Sequence, residues 1–221
     1  MKKEQNQEQE LPKERFSTNF IILIFIFSVT YSIVRYHIFG GVEWSQLPVF
    51  IMNKIMSMNG LILLTFTLSL KPLKNKGINI SQKWLRGRKV IGVVGFVSIL
   101  IHIILSALLF SPVYYNKFFN TDGTLTLNSG LSMIFGVLAF VMLWYYNLSF
   151  YNPQKDIEKN MVVRSRGFLL LIMPFVAIHL FFMGYKGWLN PAGWHGGIPP
   201  ISLITFVIII AGCFINVLGR K

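Results

Sequence analysis

The stretch Val90–Ser111, VIGVVGFVSILIHIILSALLFS, has 22 residues and no Asp, Glu, Lys or Arg. A transmembrane helix needs about 20 consecutive, predominantly apolar residues. This stretch therefore predicts a helix that crosses a bilayer. Five similar stretches flank it, and the six predicted helices run approximately Phe16–Phe39, Leu47–Leu70, Val90–Ser111, Ser129–Phe150, Gly167–Tyr185 and Ile198–Leu218.

These six stretches predict an all-α fold class, a six-helix transmembrane bundle that occupies residues 16–221. The chain is 53% hydrophobic and 13% charged, and its charged residues are crowded between the apolar stretches. A soluble domain does not typically have this pattern. Residues 1–15 are rich in Lys, Glu and Gln and predict a disordered cytoplasmic tail. The first apolar stretch is too long for a cleaved signal peptide, so we expect it to be kept in the mature protein.

The positions of the 21 Lys and Arg residues predict the orientation of the helices. Four lie before the first helix, seven between Lys71 and Lys89, four between Lys155 and Arg166, and two at the C-terminus, all on one predicted side. Basic loops face the cytoplasm, so we expect a multi-pass protein of the cell membrane with both termini cytoplasmic. The net charge of +13 then indicates contact with anionic membrane lipids, and no nucleic acid partner is expected.

Residue counts and motifs exclude several kinds of site. The single cysteine, Cys213, excludes an intramolecular disulfide and any cysteine-based metal or iron–sulfur centre. Neither common Gly-rich phosphate loop occurs. If the protein carries electrons, a redox partner protein or a lipid-soluble carrier such as a quinone must supply them.

Two histidines lie in the middle of predicted helices, where ionisable residues are costly and indicate function. His102 follows Lys89 by 13 residues, and His179 follows Arg166 by 13 residues. At about 1.5 Å per residue, each imidazole lies roughly 20 Å beyond its basic residue. Both histidines are therefore expected at the same depth, where they can serve as the axial ligands of a haem iron. The alternative for each is a buried imidazole bonded to a carbonyl or hydroxyl group.

One face of the third predicted helix carries small residues beside the histidine, namely Gly92, Gly95, Ser98, His102 and Ser106. A groove along this face would give a flat cofactor room, which makes Gly95 and Ser98 candidate cofactor-binding residues. The alternative is close helix–helix packing, for which membrane proteins use the same residues. His37 and His195 lie at predicted outer helix ends and are expected to face solvent, or to bind a metal or quinone transiently.

The sequence resembles the ferric reductase-like transmembrane family, which includes the haem-bearing membrane subunit of bacterial methionine sulfoxide reductase systems. The likeness covers roughly residues 47–186 and rests on Leu70-Lys71-Pro72-Leu73, on Arg88-Lys89-Val90-Ile91-Gly92-Val93 followed by His102, and on His179. In that family, histidines on the third and fifth helices ligate b-type haem. The resemblance therefore implies that His102 and His179 are axial ligands of haem iron.

The sequence departs from the family at the positions of a second haem. Many relatives carry another histidine about a dozen residues nearer the cytoplasm, where this chain has Lys89 and Arg166. One haem b is therefore expected. Electrons then reach it from a quinol in the bilayer, or from a flavin or other cofactor on the basic inner side, where Arg166 with Arg164, Arg86 and Arg88 would hold a phosphate or propionate group.

Three functions remain open from the sequence. The first is a b-type haem protein that transfers electrons within or across the membrane, as the electron-transfer subunit of an oxidoreductase. The second is a haem-free proton or metal transporter that uses the same histidines. The third is a cofactor-free membrane subunit that assembles with a partner.

Overall fold

Six long α-helices account for most of the computed structural model, which describes the backbone of residues 2–149 and 166–219 and the side chains of 16–149, 167–168 and 170–219. They are α1 (Lys2–Ser32), α2 (Met52–Asn75), α3 (Gln82–Leu109), α4 (Leu127–Leu148), α5 (Arg166–Trp188) and α6 (Ile201–Leu218). Wider π-type turns extend α1 over Ile33–Ile38 and precede α2 over Leu47–Ile51. The described ranges contain no β-strand, and only one isolated bridge, between Phe119 and Leu125.

In the described part of the chain, six helical segments are long and apolar enough to cross a membrane. They run Phe16–Ile38, Trp44–Asn75, Gln82–Leu109, Leu127–Leu148, Leu170–Trp188 and His195–Leu218. The prediction of an all-α, six-helix membrane protein is therefore confirmed. Large apolar side chains such as Leu23 and Leu108 are exposed on these helices, and membrane lipids cover such side chains in a multi-pass protein.

Several helix boundaries differ from the predicted ones because polar residues extend the helices beyond their apolar stretches. Helix α3 begins at Gln82, eight residues before Val90, and α2 continues through Pro72 to Asn75. Trp84 lies in the first turn of α3, with its ring centroid 4.4 Å from that of Phe16 and 4.9 Å from that of Phe66. Aromatic packing thus extends α3 through a basic segment.

Helix α1 begins at Lys2, so the polar residues before Phe16 and the first part of the apolar span form one helix. The side chains of residues 2–15 lie outside the described ones. Several other predicted features also fall outside the described residues: Lys155, Lys159 and Arg164 of the fourth connection, the end of the fourth helix at Phe150, and the terminal Arg220 and Lys221.

Two compact units make up the fold, and the first contains residues 1–108 and 218–221. Within it, α1 packs on α2, and α2 packs closely on α3 at a pair of glycines. A methyl group on Gly60 would lie 3.0 Å from the main-chain oxygen of Gly95, and one on Gly95 would lie 3.2 Å from the main-chain nitrogen of Leu64. Only glycine lets the two backbones approach this closely.

The second unit, residues 109–217, contains α4, α5 and α6. Helix α4 packs along α5. Thr126 caps the start of α4 by accepting a hydrogen bond from the main-chain nitrogen of Ser129. The indole nitrogen of Trp188 in α5 donates to the hydroxyl of Ser202 in α6, at 3.0 Å, which ties these two helices together.

Candidate functional site

His102 lies in the middle of α3, and its ring is held by the neighbouring helix α2. Its Nδ1 is 2.5 Å from Oδ1 of Asn53 and 3.3 Å from the main-chain oxygen of the same residue. The hydroxyl of Ser106, one turn further along α3, donates to the same Oδ1 at 3.2 Å. Asn53 is fully buried, so its position near the start of α2 is fixed by packing.

His179 lies in the middle of α5, and its ring is held by α4 in a similar way. Its Nδ1 is 2.7 Å from the main-chain oxygen of Ser132. The hydroxyl of Ser132 donates to the main-chain oxygen of His179 at 3.0 Å, so the two residues bond reciprocally. Gly136, one turn along α4, leaves room for the ring, because a methyl group there would lie 2.7 Å from Nδ1 of His179.

These contacts indicate which ring nitrogen of each imidazole carries a proton. A carbonyl oxygen accepts hydrogen bonds and cannot donate them, so Nδ1 of each ring must carry the proton. In the neutral form of such a ring, the lone pair resides on Nε2, the atom through which histidine commonly binds a metal. Metal-binding histidines typically donate their other N–H to a carbonyl or carboxylate, as both histidines do here.

The backbone between each histidine and its basic reference residue is helical throughout. Helix α3 is continuous from Lys89 to His102, and α5 is continuous from Arg166 to His179. Each interval of 13 residues therefore rises about 20 Å along its own helix. Each histidine thus has the predicted rise above its own basic residue, measured within its own unit.

The face of α3 with small residues lies against α2. Gly92 approaches Thr67, Gly95 approaches Leu63 and Leu64, and the hydroxyl of Ser98 accepts a hydrogen bond of 2.9 Å from Asn59. Gly95 and Ser98 therefore contribute to helix packing. Their predicted contact with a cofactor stays a prediction.

Arg166 is the first residue of α5, and its side chain lies outside the described ones. Arg86 is exposed and Arg88 is half-buried in the first turns of α3. The binding of a flavin phosphate or a haem propionate by these arginines stays a prediction.

His37 lies in the π-type turn Ile33–Ile38 at the end of the first span, where it was predicted, but its side chain is half-buried. His195 lies in the loop before α6, where it was predicted. Nδ1 of His37 is 2.6 Å from the main-chain oxygen of Val42, and its ring centroid is 3.8 Å from that of Trp44. His195 is exposed in a short 3-10 turn, His195–Gly197. The bond of His37 to a carbonyl oxygen shows that this kind of bond alone does not distinguish a metal ligand.

Sequence reasoning missed the residues that hold the two rings, Asn53, Ser132 and Gly136. Each is a small or polar residue inside an apolar stretch, on the helix that precedes the histidine in the chain. That signal is present in the sequence, but many other Ser, Asn and Gly residues share it.

The first unit supplies one oriented imidazole, that of His102, and the second unit supplies one, that of His179. A protein-bound zinc ion usually takes three or four side-chain ligands. Among the described residues, no group of three or more His, Cys, Asp or Glu side chains is placed to hold a metal ion.

No protein-family model matches the sequence, and no curated protein matches it.

Proposed function

We propose that this protein binds one b-type haem through His102 and His179 and transfers electrons within or across the membrane. The observation that supports the proposal best is shared by both histidines: each lies mid-helix, and each directs its Nδ1–H to a main-chain oxygen of the preceding helix. This arrangement makes Nε2 of each ring a basic ligand for iron.

A haem at these ligands would supply reversible one-electron chemistry. The chain's own residues orient the ligands. Asn53 and Ser132 fix the rotation and the tautomer of the two rings, and Gly136 gives the ring of His179 its space. The apolar faces of the helices exclude water, which lowers the local polarity around a bound cofactor.

The electron donor lies outside this chain, as a redox partner protein or a quinone. We propose further that both termini are cytoplasmic, because most Lys and Arg residues then lie on the cytoplasmic side. The arginines at the starts of α3 and α5, Arg86, Arg88 and Arg166, would face a cytoplasmic flavin or a haem propionate.

An absorption spectrum tests the haem assignment directly. Membranes with the protein should show a Soret band and an α-band that sharpen on reduction with dithionite, as bis-histidine haem does. His102→Ala and His179→Ala should each abolish the spectrum. His37→Ala is the matched control, because His37 makes the same kind of hydrogen bond at the end of a helix and should keep the spectrum.

A further variant separates loss of the ligand from loss of the fold. His102→Met supplies a different axial ligand, and a folded protein should retain haem with a raised reduction potential. Normal spectra in both alanine variants would overturn the assignment. A folded, colourless protein that moves protons or metal ions across vesicles would favour a transporter, and loss of a partner complex without either signal would favour an assembly subunit.

A further inference from the structure

An apolar cleft of about 420 Å³ opens between α1, α2 and α3, and its lining residues all belong to the first unit. Exposed side chains form its outer walls: Ile22 and Phe25 on α1, and Val93, Val97 and Ile101 on α3. The accessible surface of these walls is almost entirely apolar. Because the cleft opens toward the hydrocarbon of the membrane, an apolar chain is the ligand that its walls accept.

The wall that α3 contributes continues toward the start of this helix. At about 100° per residue, Val90, Val93, Val97 and Ile101 lie within a sector of about 80°, and all four side chains are exposed. Val90 precedes Ile101 by 11 residues, which is a rise of about 16 Å. The hydrocarbon layer of one leaflet is about 15 Å thick. This apolar stripe therefore has the length that an acyl chain spans in one leaflet.

Two exposed cations lie just before the apolar stripe. Arg86 falls in the same sector of α3, Lys89 lies beside it three residues further on, and both side chains are exposed. Residues three apart on a helix are neighbours on its surface, so the two cations can contact the same anion. The segment from Lys71 to Lys89 has seven Lys and Arg residues and no Asp or Glu, so it contributes no carboxylate that would neutralise them.

We infer that this face of α3 binds one anionic phospholipid, with its phosphate group at Arg86 and Lys89 and one acyl chain along the apolar stripe in the cleft. The cations require an anion at the membrane surface, and the cleft requires hydrocarbon below it. A phospholipid meets both requirements in this order. Basic pockets at the ends of transmembrane helices bind anionic lipid head groups by the same attraction.

This inference goes beyond the proposed function and does not depend on haem, since the cleft and both cations belong to α1–α3. It also differs from the general attraction between a basic loop and anionic lipids, which requires no particular residue. A lipid at Arg86 would occupy this side chain, whereas Arg88 lies on another side of α3 and stays available to a flavin phosphate or a haem propionate.

Photoaffinity labelling of the full-length protein in phosphatidylcholine nanodiscs tests the inference. The probe is phosphatidylglycerol with a diazirine in the middle of one acyl chain, and peptide mapping by mass spectrometry locates the adducts. We expect adducts on cleft residues such as Ile22, Val93 and Val97. Phosphatidylcholine with the same diazirine chain has no net charge, so it should label these residues at least about fivefold less.

A pair of double variants tests the two cations. Arg86→Gln with Lys89→Gln removes both and should reduce the preference for the phosphatidylglycerol probe at least about fivefold. Lys71→Gln with Lys74→Gln removes the same number of charges from exposed positions of α2 and should keep the preference. If both double variants lose the preference equally, the basic segment attracts anionic lipids without a specific site, and the inference is wrong.

A second pair of variants tests the cleft. Val97→Trp fills the cleft from a side chain that is 44% exposed, so it should block labelling of the remaining cleft residues. Val141→Trp is the matched control, because Val141 is 45% exposed on α4, outside the cleft, and this variant should keep labelling. Equal labelling by the two probes, unchanged labelling in folded Val97→Trp, or an absence of adducts because a second copy of the chain covers the cleft would each overturn the inference.

Discussion

His102 and His179 each present Nδ1 to an oxygen acceptor on another helix of the same unit. Nδ1 of His102 is within hydrogen-bonding distance of two oxygens of Asn53, one in the side chain and one in the main chain. Nδ1 of His179 bonds the main-chain oxygen of Ser132. An acceptor at Nδ1 increases the basicity of Nε2 and so strengthens its bond to a metal. The residues opposite the two rings should therefore influence any bound iron.

Asn53→Leu tests this influence at similar side-chain volume. The variant removes Oδ1 and leaves His102 with the more distant main-chain oxygen, so its imidazole becomes a weaker donor to iron. If haem binds as proposed, the affinity should fall about 10- to 100-fold, and the reduction potential should rise because the ferric form loses stabilisation. Haem titration and a potentiometric titration measure the two effects.

Asn216→Leu is the control for Asn53→Leu, because it also removes a buried asparagine. Asn216 donates to the main-chain oxygen of Gly212 within α6, so its loss affects stability and leaves the potential unchanged. The interpretation of Asn53 as a positioning residue is wrong if both variants have the potential of the original protein.

At the scale of the helix, glycine placement determines which faces pack. Gly60 and Gly95 let α2 and α3 approach until a single added methyl group would meet main-chain atoms. The sequence offered two interpretations of the small-residue face of α3, a cofactor groove and close packing, because both require the same residues. The packing of α2 occupies the space beside Gly95, and only the three-dimensional structure can supply that neighbour.

Gly136 on α4 should tolerate substitution much less well than Gly130 on the same helix. A methyl group at Gly136 would lie 2.7 Å from Nδ1 of His179, so Gly136→Ala must move the ring and weaken its bond to Ser132. Such overpacking typically costs about 1–3 kcal/mol. Nothing lies within 4 Å of a methyl group at Gly130, and Gly130→Ala should be neutral or stabilising by up to about 1 kcal/mol.

Unfolding curves of the detergent-purified variants give both free energies. The comparison is matched, since both changes replace a glycine of α4 by alanine and add one methyl group. Equal stabilities for Gly136→Ala and Gly130→Ala would show that the ring of His179 does not occupy the space above Gly136.

At the scale of the whole molecule, the length of each apolar stretch predicted the number and order of the spans. Each span satisfies its own main-chain hydrogen bonds, so its existence depends on local sequence. The partners of the histidines do not follow from local sequence: Asn53 precedes His102 by 49 residues, and Ser132 precedes His179 by 47. The early start of α3 at Gln82 was missed for the same reason, because Trp84 is held by Phe16 and Phe66 of other helices.

Single cysteines on either side of α3 test the predicted orientation of the chain. Cys213 is the only cysteine, so Cys213→Ser gives a background without thiols. Asn79→Cys then places one thiol in the connection before α3, and Thr121→Cys places one in the connection after it; both positions are exposed. The substitution Thr121→Cys leaves intact the neighbouring hydrogen bond from the main-chain nitrogen of Thr124 to the carboxylate of Asp122.

Seven Lys and Arg residues lie between Lys71 and Lys89, whereas the connection after α3 has only Lys117. Each basic residue near an anionic cytoplasmic leaflet contributes about 1 kcal/mol, so the connection before α3 should be retained in the cytoplasm. A membrane-impermeant maleimide added to intact cells should therefore label Thr121→Cys, and should label Asn79→Cys only after permeabilisation. The reverse pattern would place both termini outside, and equal labelling of the two thiols in intact cells would mean that α3 does not separate two compartments.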